Sequence, residues 1–279
     1  MDIRFEKREH LQEKPDQKNL GFGKHFTDYM FVMDWDKEQG WHDAAIVPYG
    51  GIPMDPATMV LHYAQEIFEG MKAYRTADGS IQLFRPDKNM ARMNVSCDRL
   101  CIPKIDEEFA IKAIKTLVEV DKDWVPSLDG TSLYIRPYIF ATDAQVGVHP
   151  AKHLTFAIIL SPVGAYYPQG IAPVKIFVEQ KYVRAVIGGT GFTKAGANYA
   201  ISLKNAANVE VKDMFISVNR CEVGQNPEKT TIMEVMEDFG INVHAIITVQ
   251  DIYEYLKQDG SYGDILTKMK EYMDTYCVF

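Results

Sequence analysis

The stretch Gly188–Leu203, GGTGFTKAGANYAISL, sets a single lysine, Lys194, among glycines and alanines just ahead of a helical-looking run. Gly188, Gly189, Gly191, Ala195, Gly196 and Ala197 place little bulk around its amine, so a flat ligand can approach it. An amine partly shielded from water loses its proton more readily and can attack an aldehyde, for which pyridoxal phosphate is the obvious biological partner. Phosphate-loop patterns fail here. The Walker pattern needs Gly-Lys-Ser/Thr where Thr193-Lys194-Ala195 stands, and the dinucleotide pattern needs a glycine at Lys194. A solvent-exposed lysine at a glycine-rich turn accounts for the same residues, so the rest of the chain has to decide.

The chain has 279 residues, 47% of them apolar and 11% aromatic, enough for a large core and for two domains. No run approaches the roughly 18 apolar residues of a membrane span. The opening MDIRFEKREHLQEKPDQKNL is charged and lacks an apolar signal core, so a cytoplasmic protein is expected. Cys97, Cys101, Cys221 and Cys277 are too few and too irregularly spaced for a disulfide framework or a zinc ribbon, and reduced structural thiols without a metal are expected. Cys97 and Cys101, one helical turn apart, suit a buried helix face. A net charge of -8 without a basic, aromatic-interleaved stripe argues against nucleic acid and for small-molecule chemistry. The charge is uneven: residues 209–279 hold 13 Asp/Glu and 6 Lys/Arg, or -7, leaving -1 for residues 1–208.

Along the chain, DAAIVPY reads as a strand and Ala57–Phe68 as a helix with apolar positions at Met59, Val60, Tyr63 and Ile67. MKAYR, the Asp78-Gly79 turn and IQLFR predict a hairpin, and Pro86 a helix start. FAIKAIKTLVEV repeats apolar pairs every four residues and predicts an amphipathic helix. SLYIRPYIFAT, HLTFAIIL and VKIFVEQ predict strands.

The segments FTDYMFVMDWDKEQGWHDAAIVPYGGIPMDPATMVLHYAQEIFEGMKAYR, LFRPDKNMARMNVSCDRLCIP, SLYIRPYIF, SPVGAYYP and TKAGANYAISL resemble the branched-chain aminotransferases, continuously from about Phe26 to Asn208. That resemblance implies an α+β chain of fold type IV, with a small domain over residues 1–165 and the start of a truncated large domain over 166–208. It also implies pyridoxal phosphate as cofactor and reversible amino transfer between Leu, Ile or Val and 2-oxoglutarate. By the same resemblance Lys194 is the cofactor-bound, proton-transferring lysine, Arg92 the phosphate ligand and Tyr199 the tyrosine beside the cofactor's phenolic oxygen. Tyr63, Phe68, Tyr134, Arg136 and Tyr166 then form the substrate site, Arg136 with Tyr134 taking a second carboxylate. Outside the family context, Arg92 reads as a surface helix arginine pairing with Asp87 or Asp98, and the aromatic residues read as core. Val146 and Val148 align with a loop that crosses to the partner in family dimers, which implies a homodimer.

After Asn208 the family's carboxylate for the pyridine nitrogen and its phosphate-cradling helix N-termini are not recognisable, so weak cofactor binding is expected. Residues 209–279 instead resemble the C-terminal end of orotate phosphoribosyltransferase, through Asn219-Arg220, Glu222-x-Gly224, Phe239-Gly240 and IITVQDIYEYL. They predict a strand at 213–219, a helix at 228–239 stopped by Gly240, a strand at 242–247, and two more helices, the first capped by Thr248. The loop residues that hold phosphoribosyl pyrophosphate are missing, which argues against that transfer. Glu222 locally mimics the pyridine-nitrogen carboxylate, but its spacing from Lys194 is too short. The competing expectation is a catalytically silent chimera or truncated chain.

Overall fold

The computed structural model describes residues 1–165, 183, 185–203, 213–239 and 242–279. The chain divides into two compact units, Met1–Ala172 with Tyr182–Leu203, and Pro173–Lys181 with Lys204–Phe279.

The first unit is built on a sheet of eight strands: β1 (Arg4–Phe5), β2 (Tyr29–Asp36), β3 (Gly40–Pro48), β4 (Glu66–Phe68), β5 (Met71–Arg75), β6 (Ile81–Leu83), β7 (Ser132–Ala141) and β8 (His153–Val163). Their order is β1-β3-β2-β8-β7-β5-β6, with β4 also paired to β7. Among its described residues are four α-helices: α1 (Met59–Tyr63), α2 (Pro86–Arg99), α3 (Glu107–Val120) and the short α4 (Ala197–Ala200). Strand alternation decides which side chains enter the core. In β7, Leu133, Ile135, Ile139 and Ala141 are buried against the helices, whereas Tyr134, Arg136 and Tyr138 are half-buried on the opposite face. Met90, Met93 and Cys97 of α2 and Ala110, Ala113, Ile114 and Leu117 of α3 complete that core.

The expected hairpin is present: β5 and β6 pair antiparallel, and Gly79 takes a φ of 84°, a left-handed conformation that glycine adopts without steric cost. Pro86 opens α2 as expected. The helix expected over Ala57–Phe68 is corrected. It stops at Tyr63 because Ala64 turns left-handed at φ 49°, and Glu66–Phe68 instead pairs with Tyr138–Phe140 of β7. Cys101 is also corrected: it lies beyond α2 at φ 54° and is exposed, while Cys97 is buried. The strand expected over VKIFVEQ lies outside the described residues.

β4 and β5 continue one register along β7, since Glu66 faces Phe140 and Met71 faces Ile135. The ladder is interrupted where Glu69 faces Pro137. Glu69 N donates to the Pro137 carbonyl at 2.7 Å, but proline has no N–H to return.

The second unit contains β9 (Asp213–Asn219) and β10 (Asn242–Thr248), a parallel pair, and three further helices at Thr231–Phe239, Val249–Asp259 and Gly263–Tyr276. Thr248 caps the middle one through a capping box with Asp251, as expected. The expected Gly240 stop lies outside the described residues. Among the described residues no helix is long and apolar enough to cross a membrane, and no cluster of His, Cys, Asp and Glu could hold a metal.

Candidate active site

Lys194 is positioned by its own backbone. Odd residues of β4 direct their N–H and C=O toward β7, so Phe68 turns its N–H to the free edge, where it donates to the Lys194 carbonyl at 2.9 Å. The Lys194 N–H donates to Ser96 Oγ of α2 at 2.9 Å. Gly196 N–H is held by the Glu66 carboxylate, and a Cβ at Gly196 would run into that carboxylate. Thr193, Ala195 and Asn198 are buried beneath the loop, with Asn198 Nδ2 donating to the carbonyls of Thr190 and Thr193. The lysine therefore stands on a loop pinned from a strand and a helix at once.

Its amine projects away from this backbone anchorage. Lys194 Nζ donates to the Tyr199 hydroxyl at 2.8 Å and sits 4.5 Å from the centre of the Phe68 ring. Phe68 and Tyr199 are themselves in ring contact at 5.1 Å. Arg136, on the same face of the sheet, lies 4.2 Å from the Phe68 ring and donates through Nη2 to the Tyr134 hydroxyl at 2.8 Å. Tyr134 stands over Gly70, where any Cβ would collide with its hydroxyl. Burial raises the Glu66 carboxyl above its ordinary range, offset in part by the Gly196 N–H and the Arg136 charge.

Arg92 comes from the helix side of the sheet. Its Nε and Nη2 donate to the two oxygens of Glu69 at 2.7 and 2.8 Å, and this pairing raises the guanidinium pKa. Arg92 thus pairs with neither Asp87 nor Asp98; Asp87 is engaged by Arg85 instead. The partner of Arg92, Glu69, directly follows Phe68 in the chain. Five of the expected residues, Lys194, Tyr199, Phe68, Arg136 and Tyr134, are joined by direct contacts, and Arg92 is tied to them through Glu69. Tyr63 is not joined to them by any described contact: it ends α1, packs on the core and has its ring beside His62. Tyr166 lies outside the described residues. Glu222 is engaged within the second unit, paired with Arg220 at 2.9 Å and accepting the Tyr272 hydroxyl.

Three residues escaped the sequence reading: Glu66, Glu69 and Ser96. Glu69 carried a signal, because it alternates with Ile67, Met71 and Ala73, three core residues, and a charge at an inward position needs a partner.

Residues 66–184 match amino-transferase class IV as a family. The chain is 53% identical over 203 residues to branched-chain-amino-acid transaminase 1 of Bacillus subtilis, covering 72% of this chain and 57% of the relative. It is 54% identical over 210 residues to branched-chain-amino-acid aminotransferase 2 of the same organism, covering 75% of this chain and 58% of the relative. The chain therefore spans somewhat over half the length of these curated relatives. Its fold is like that of a branched-chain aminotransferase from Thermoproteus uzoniensis solved with norvaline, at a TM-score of 0.51 and 20% identity over 81% of each chain.

Proposed function

We propose that this chain carries the lysine-bearing part of a branched-chain amino acid aminotransferase that works with pyridoxal phosphate, moving an amino group reversibly between Leu, Ile or Val and 2-oxoglutarate. The observation that carries the reading is the contact set Lys194–Tyr199–Phe68, with Arg92 held by Glu69, the residue after Phe68. The donor set suits the cofactor: an amine for an aldehyde, a phenol hydroxyl for a phenolic oxygen, and a guanidinium with one edge still open for a phosphate.

When bound, pyridoxal phosphate supplies an electrophilic carbon for amines and a ring that takes up the electron pair left by α-proton removal. Lys194 Nζ, 2.8 Å from the Tyr199 hydroxyl, holds and moves the proton. Tyr199 steers the amine, and the Phe68 face keeps water from its flank. Arg136, braced by Tyr134 and stacked on Phe68, takes the substrate's second carboxylate, while the aromatic faces accept a branched aliphatic side chain. Val146 and Val148, exposed to 67% and 85%, are available to a second copy of the chain. Residues 1–165 then form the small domain, 166–208 open the larger cofactor domain, and 209–279 are a tail related to orotate phosphoribosyltransferase.

The test is a coupled assay with leucine and 2-oxoglutarate, alongside borohydride reduction with pyridoxal phosphate and peptide mapping. Turnover that Lys194→Ala abolishes, with the label on Lys194, is expected. A label on another lysine overturns the assignment. Labelled Lys194 without turnover favours the second reading, a catalytically silent chain, which is supported by the quarter of this chain that lies outside its curated matches.

A further inference from the structure

We propose that Glu69 is the positioning residue of the anion-binding edge: it fixes the plane of the Arg92 guanidinium so that its remaining donors face the cofactor phosphate. The proposal rests on the reading of Arg92 as the phosphate ligand. Glu69 is fully buried, at 0% exposure, while the Arg92 side chain is 54% exposed. One edge of the guanidinium is thus held inside the protein and the other is open.

The carboxylate is itself held in place. Asn89 Nδ2 donates to Glu69 Oε2 at 2.8 Å, and Gly70 N–H donates to the same oxygen at 3.3 Å. Asn89, Arg92 and Ser96 lie at i, i+3 and i+7 of α2, along one face of the helix. Through Ser96 that face also holds the Lys194 N–H, and through Phe68 the strand beside Glu69 holds the Lys194 carbonyl. The segment Glu66–Gly70 and helix α2 therefore grip the reactive lysine and the arginine together, and Glu69 is the link on the arginine side. A long arginine on a helix surface samples many rotamers, and a two-point contact to a fixed carboxylate removes that freedom before the anion arrives. Glu69 also offsets part of the Arg92 charge, so what it contributes is direction.

The test compares binding of pyridoxal phosphate with binding of pyridoxal, which lacks the phosphate, by equilibrium dialysis on the full chain. Four forms are compared: unaltered protein, Glu69→Gln, Glu69→Asp, and the double variant Glu69→Gln/Arg92→Met, in which no buried charge is left unpaired. Glu69→Gln is expected to weaken pyridoxal phosphate roughly tenfold and to leave pyridoxal within about twofold, the size of one misdirected hydrogen bond to a charged group. In the double variant the preference for the phosphate form is expected to vanish. Glu69→Asp keeps the buried anion but sets it back by a methylene; a partial loss confined to the phosphate form is expected, and it carries the test if Glu69→Gln does not fold by near-ultraviolet circular dichroism. If the folded Glu69 variants keep the full preference while the double variant loses it, Glu69 does not position Arg92, and the proposal falls with the Arg92 reading intact. If the double variant keeps the preference, the Arg92 reading fails and takes the proposal with it.

Discussion

Single ionisable residues tie the first unit together from inside. Asp121 follows the last turn of α3 and is 2% exposed, and its carboxylate accepts the Tyr29 N–H of β2 at 3.1 Å. Burial, with a smaller contribution from the charge of Asp28, raises its pKa from 3.8 to about 6. Because the folded form holds this proton more tightly than the unfolded chain, the associated stability is fully present below pH 3.8 and is lost as pH rises through about 6. Asp121→Asn should remove that slope: between pH 4 and pH 7 the unaltered protein should lose about 2 to 3 kcal/mol relative to the variant. Urea midpoints at the two pH values measure it, and equal slopes would show that Asp121 does not titrate across this window.

At the scale of elements, local signals and long-range pairing compete. Met59, Val60, Tyr63 and Ile67 have helical spacing, yet only Met59–Tyr63 is helical. Glu66–Phe68 finds its hydrogen-bond partners on β7, which a twelve-residue helix would have left without a strand there. Helix α3 shows the opposite case, in which local chemistry and packing agree. Its apolar stripe is buried, and Asp106 caps it by accepting the Phe109 N–H at 2.9 Å. Asp106→Ala should therefore cost about 1 kcal/mol, read as a lowered denaturation midpoint with an unchanged denaturant dependence.

At the scale of the whole molecule, an exposed isoleucine on the parallel strands of the second unit bears on how chains associate. Parallel sheets are ordinarily covered on both faces; among the described residues β9 and β10 pair with each other, and Ile246 is exposed to 81%. An exposed β-branched side chain on a strand invites association with other chains. Ile246→Lys should delay aggregation, seen as a lower light-scattering signal at equal concentration, with far-ultraviolet circular dichroism unchanged. An identical aggregation onset would mean that this face is not where chains associate.

Much of this architecture was legible in the residues themselves. The glycine-rich surroundings of Lys194, the alternation in SLYIRPYIF, the α3 stripe, the Asp78-Gly79 turn and the Thr248 cap depend on neighbours within a turn or a strand, and such short-range interactions leave a periodic or positional trace. The resemblance to the aminotransferases reached Arg92, Phe68, Tyr134, Arg136 and Tyr199 as a set. It could not say that Arg92 is clamped by Glu69, twenty-three positions away, or that Ser96 and Phe68 hold the Lys194 backbone from two different elements. Nor could it separate Tyr63, which packs on the core beside His62, from the residues in contact around Lys194. These facts belong to the tertiary structure because each depends on which strand edge and which helix face meet. That meeting is decided by the burial of Ile67, Met71, Met90 and Met93 between strand and helix, on the face that Glu69 shares, and not by the residues around the Lys194 amine.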